Sequence, residues 1–155
     1  MPLTSNSDLV YNSFHSGLMA GYFPLVASGV NVVLIKNTYL SVANPDNGYK
    51  TLKDIEAFES SGTGYTASGQ ALASKNIWQD DYADLAIFDA ADTTWPSSTL
   101  TSSGAALYLG EIGKTISANC PLIAFFSFGG DKSSSNGAFQ LSYNSSGILN
   151  LGNCA

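Results

Sequence analysis

A chain of 155 residues is the size of one domain, long enough to bury a core and too short for two independent ones. Apolar residues at 45% exclude a disordered chain, while charged residues at 12% are about half the usual share, so Ser, Thr, Asn and Gly must carry the surface. A net charge of −6 opposes binding to a phosphate backbone, and no Lys/Arg run or helix-turn-helix pattern offsets it, so nucleic acid is not an expected partner. So little charge beside so many Tyr and Phe predicts that partners cover part of the surface, as in an oligomer or a lattice.

Met1 to Asp8 lacks the basic region of a signal peptide, and the chain is expected to be soluble and unprocessed. Ser7 or Asp8 can cap a helix over about 7–20 in which Val10, Phe14 and Leu18 recur every four residues, giving one apolar stripe to lay on a sheet. The uncharged stretch from Gly17 to Ile35 is about long enough to cross a bilayer. Gly21, Pro24, Ser28, Gly29 and Asn31 interrupt it, however, and Pro24 with Gly29 marks a turn, so no membrane partner is expected. Val30 to Leu40 then reads as a strand near the middle of the fold, with Val32, Val33, Leu34 and Ile35 buried.

Ser41 to Tyr49 is dense in turn formers and reads as a loop. Thr51 and Asp54 stand at capping-box spacing ahead of a short peripheral helical turn with Leu52, Ile55 and Phe58 facing inward. Gly62 to Gly69 is a glycine-punctuated bend. Strands are predicted at Leu72 to Trp78, Leu85 to Asp89, Ala105 to Leu109, Leu122 to Phe128, Phe139 to Tyr143 and Ile148 to Leu151. The whole predicts one domain over 1–155, mainly β, an antiparallel sandwich or barrel-like fold with its β core over about 30–151.

Leu122 to Phe128 is apolar on both faces, so both must be covered. The expected covers are the N-terminal helix and a second sheet; the alternative is a subunit contact, with Leu122, Phe125, Phe126 and Phe128 as candidate interface residues. Cys120 and Cys154 match no metal-binding spacing. Either they pair as a staple for the C-terminus, or Cys120 is a small buried residue and Cys154 sits in a loose tail.

Little here carries chemistry. His15, the single histidine, reads as a helix-surface residue with no nucleophile elbow elsewhere in the chain. Gly62, Gly64 and Gly69 precede no Lys-Ser or Lys-Thr pair, so tight turns explain them better than a phosphate cradle. Asp80, Asp81, Asp84, Asp89 and Asp92 match no EF-hand and read as strand-end charges. Asp131 to Gly137 reads as a polar hairpin connection ending in an Asn-Gly turn. Trp78, Trp95 and Tyr82 are the candidate ligand-facing residues if the chain is a carbohydrate-binding module, with Trp95 placed at an extended turn by Pro96. No catalytic residue, metal or cofactor is expected.

Several segments, in one order along most of the chain, carry a resemblance: Tyr11-Asn12-Ser13-Phe14, Val32-Val33-Leu34, Gly62-Thr63-Gly64-Tyr65-Thr66-Ala67-Ser68-Gly69, Phe88-Asp89-Ala90-Ala91-Asp92-Thr93-Thr94-Trp95, Pro121 to Asp131, Gly137-Ala138-Phe139 and Gly147-Ile148-Leu149. The chain resembles a family of small tailed-bacteriophage virion proteins of the head or capsid decoration (cement) type. It departs from that pattern at Ser68, where a glycine is expected, and in its Cys-containing tail. The resemblance implies a non-enzymatic homotrimer on the outer surface of the virion head, made in the host cytoplasm, with the major capsid protein as partner; the alternative in that setting is a head-fibre or tail-fibre domain that uses Trp78, Trp95 and Tyr82.

Overall fold

The computed structural model describes residues 8–27, 29–41, 48–110 and 120–152. The chain is mainly β, with two antiparallel sheets and two short helices among the described residues, in the sandwich- or barrel-like class that the strand pattern predicts. The larger sheet joins β1 (Leu9–Val10), β8 (Leu122–Leu141), β7 (Thr93–Leu109), β2 (Val30–Ile35) and β4 (Gln70–Ala71) in that order, with β3 (Gly62–Thr63) on the far part of β7. The smaller sheet is β5 (Asn76–Asp80), β6 (Leu85–Asp89) and β9 (Leu149–Leu151). Helix α1 (Asn12–Met19) follows β1, and α2 (Leu52–Ile55) precedes a 3₁₀ turn over Glu56–Phe58.

All six residues of β2 are buried, because β7 and β4 flank it and both faces are covered. The strand stops at Ile35, short of the Leu40 expected, and a 3₁₀ turn over Asn37–Ser41 follows. Helix α1 likewise begins later than predicted. Leu9 and Val10 pair with Phe125 and Ala124, and Asp8 accepts the Ser127 N–H at 2.8 Å, so these residues belong to the sheet and Tyr11 becomes the cap position. The uncharged 17–35 stretch is thus a helix end, a turn and a strand, and among the described residues no helix is long and apolar enough to cross a membrane. The predicted loop falls mostly on 42–47, outside the described residues, as does Cys154.

The capping box at α2 forms as expected: Asp54 Oδ2 accepts from the Thr51 N–H and hydroxyl, each at 2.9 Å, and Leu52 and Ile55 are buried. The Lys50 backbone N–H, the leading cause, together with the Thr51 donors holds the Asp54 carboxyl below its usual range.

The largest departure from the sequence reading is the length of β7 and β8. The predicted strands Ala105 to Leu109, Leu122 to Phe128 and Phe139 to Tyr143 are parts of two strands of 17 and 20 residues, paired along their length. Residues that read as turns are bulges inside these strands. Asn136 lies at φ 48 with Gly137 paired to Ser98, so Asn-Gly bends the strand instead of closing a hairpin. Pro96 sits at the register shift between Trp95 and Ser98, where its missing N–H costs the ladder nothing. The predicted strand Leu72 to Trp78 is also replaced, by β4 before it and β5 overlapping its end.

The 62–69 bend is anchored by one carboxylate. Glu59 Oε1 accepts from the Tyr65 hydroxyl at 2.9 Å and the Ser68 N–H at 2.6 Å, while the Tyr65 oxygen accepts the Leu34 N–H at 3.1 Å. Burial raises the Glu59 pKa above its ordinary value, although both hydrogen bonds and the charge of Lys36 pull it down. A folded-state pKa above the unfolded one means that the folded chain binds this proton more tightly, so the contribution to stability is full below the unfolded value near 4.5 and is lost as pH rises through the folded one. Glu59→Gln keeps an acceptor oxygen without the charge. Its melting temperature relative to wild type is expected to rise as pH is taken from about 4 to about 7; a gap constant with pH would refute this account.

Candidate functional site

The candidate interface residues from the sequence divide in two. Leu122 is fully buried and Phe125 nearly so, inside the chain's own core, where the Phe125 ring lies 4.8 Å from that of Tyr39. They stabilise the fold and are not on its surface, which corrects their assignment. Phe126 and Phe128 are half-buried and pack against that core, Phe128 with its ring 6.4 Å from Phe139. Both faces of this strand segment are covered within the chain, so its two-sided apolar pattern needs no subunit contact.

The candidate ligand-facing residues also separate. Trp95 is 1% exposed, with ring centroids 5.8 Å from Tyr65 and 6.1 Å from Phe139, and it lies near the start of β7, paired with Phe139. It is a core residue and cannot meet a ligand; the Trp-Pro signal for an extended turn was in fact a strand bulge. Trp78 on β5 is 36% exposed, and Tyr82, in the β5–β6 turn, is fully exposed. The aromatic platform therefore loses its centre.

The carboxylates behave as strand-end and turn residues. Asp80 Oδ1 accepts from the N–H groups of Tyr82 and Ala83, closing the β5–β6 turn. Asp92 accepts the Tyr143 N–H at 3.0 Å, the main reason its pKa lies below the ordinary value. Among the described residues no group of three or more His, Cys, Asp or Glu side chains is placed to hold a metal ion. His15 is exposed on α1, as expected.

The arrangement that sequence reasoning missed is an apolar face between α1 and the smaller sheet. Antiparallel register puts Ile77, Phe88 and Leu149 on one face of that sheet, together with Ala86 and Leu151. The Phe14, Phe23 and Leu25 side chains lie against this face and bury Phe88 and Leu149, but coverage stops short of the sheet's outer end. An apolar cleft of about 220 Å³ remains, with His15 and Leu18 on one lip and Ile77 and Leu151 on the other. Met19, Tyr22 and Val26, on α1 and the turn after it, are exposed as well. The available signal was composition: more large apolar side chains than one small core absorbs. Locating them needed the packing of α1 on β5–β6–β9.

A second cleft, of about 520 Å³, is lined mainly by polar residue types and lies beside the bent β7–β8 ribbon, with Lys36, Asn37, Ser61, Asp131 and Ser134 in its wall.

Compared with known proteins, the chain matches no family model, no curated protein and no solved structure.

Proposed function

We propose that this chain is a structural virion protein of a tailed phage, a capsid decoration protein that binds the outer head as a homotrimer and stabilises contacts between capsomers of the major capsid protein. The observation that carries the reading is the apolar face on α1 and the smaller sheet. The ordered resemblance to decoration-type virion proteins supplies the setting. Docking would work by burial alone. A contact of standard size buries about 1,600 Å², and its repetition around the shell multiplies a modest gain per site without any chemistry.

This reading moves the docking surface from the Leu122 to Phe128 strand to Ile77, Leu151, Met19 and Tyr22. Ile77 and Leu151 are about half exposed, so charged substitutions there leave the core intact. The double variant Ile77→Asp, Leu151→Asp is expected to fold like the wild type by circular dichroism and to lose at least about tenfold in binding to undecorated shells, the equivalent of one to two large apolar side chains left unburied. Co-sedimentation with shells and a cryo-electron map of the decorated particle measure it. Unchanged binding would reject this face; density on the tail instead of the head would reject the decoration role.

A further inference from the structure

The second cleft belongs to none of the above. It is shaped by an excursion in β8: Ser102 pairs with Lys132 and Gly104 with Ser127, so the stretch from Ser127 to Lys132 lies against only Ser102 to Gly104. The extra length is accommodated by Gly129 at φ 71 and Gly130 at φ 147, angles that side-chain-bearing residues rarely adopt. The excursion delivers Asp131, whose carboxylate accepts a hydrogen bond from the Ser103 hydroxyl, itself on a residue 1% exposed. A carboxylate offers about four acceptor sites. Ser103 orients the group and leaves acceptor capacity facing the cleft.

Charge decides what class of ligand fits. Asp131 and the net charge of −6 disfavour an anion, and Lys36 in the same wall disfavours a cation. Asn37, Ser61 and Ser134 contribute neutral donors and acceptors at the rim, and carbon atoms of the lining side chains, with Leu100 almost wholly buried beneath them, make up most of the exposed surface between. Hydroxyl-matching groups around an apolar floor complement a pyranose, with its C–H face and its ring of hydroxyls. The volume falls in the range of about 300–1,000 Å³ usual for small-molecule sites.

We propose that this cleft binds a neutral saccharide, with Asp131 accepting from adjacent sugar hydroxyls and Lys36 and Asn37 donating to sugar oxygens. The site does not depend on docking to a capsid, since it shares no lining residue with the α1–β5–β6–β9 face.

The test is an amide-resolved NMR titration of the free protein with glucose, N-acetylglucosamine and maltose into the high millimolar range. Saturable shifts are expected at 36–38, 61, 99–103 and 131–134. Asp131→Asn retains an oxygen for Ser103, so it should keep the dispersed spectrum while weakening binding at least about tenfold through loss of the charged acceptor. Trp78→Ala should change nothing. The proposal is overturned by the absence of saturable shifts with all three sugars, by undiminished binding in Asp131→Asn, by shifts centred on Trp78 and Tyr82, or by tighter binding of sialic acid or glucosamine than of the neutral sugars.

Discussion

Trp95→Ala is expected to destabilise the chain by about 3–5 kcal/mol, the cost of removing a fully buried indole and leaving a cavity. Trp95 faces Phe139 across β7 and β8 and stacks on Tyr65, so one side chain ties together the ribbon and the 62–69 bend. For a chain of this length the loss corresponds to a drop of roughly 10–15 °C in melting temperature. The indole Nε1 is buried without a hydrogen-bond partner, however, so part of the large ring is held at a polar cost. Trp95→Phe removes that cost while keeping an aromatic ring in place, and should lose less than half as much as Trp95→Ala. Thermal and urea melts of both variants measure this; a Trp95→Ala protein melting within a degree or two of wild type would show that the cluster contributes little.

Gly69→Ala should be at least as damaging, for a different reason. Gly69 lies at φ 76, and a Cβ there would overlap the Val32 carbonyl oxygen of the central strand. Left-handed strain alone costs about 1–2 kcal/mol, and the backbone collision forces β2 and the bend apart, breaking the Gln70 pairing with Val32. Loss of soluble folded protein, or a melting point lower by at least about 10 °C, is expected. The neighbouring position supplies the contrast. Ser68 also has positive φ, at 73, and it is held through its backbone: its N–H donates to Glu59 and its carbonyl accepts from the Tyr108 hydroxyl at 2.7 Å. Ser68→Gly keeps both and relieves the strain, so it should be neutral or stabilising by up to about 1 kcal/mol. A destabilised Ser68→Gly beside a tolerated Gly69→Ala would overturn this view of the bend.

The turn needs a left-handed residue at position 68, which is why a glycine would suit it. The unusual serine is tolerated because its neighbours hold it, through Glu59 on one side and Tyr108 on the other.

What the amino-acid sequence determined by itself is local and periodic. The β-branched run Val30–Ile35 can satisfy its apolar side chains only as a buried strand; Thr51 and Asp54 cap their own helical turn; β6 begins and ends where its residue types change. Each depends on atoms a few residues apart. The tertiary structure decided the rest. Whether Asn136-Gly137 and Trp95-Pro96 turn the chain or merely bulge it depends on whether a partner strand lies alongside, and here β7 and β8 supply each other over nearly their whole length. That pairing, with Tyr65, hides Trp95, whereas Trp78 on β5 of the smaller sheet stays partly exposed, although both are tryptophans in strands. The two clefts arise likewise from long-range events, α1 stopping short on the smaller sheet and β8 looping out at Gly129–Gly130, because exposure is a property of what packs against a residue and not of the residue itself.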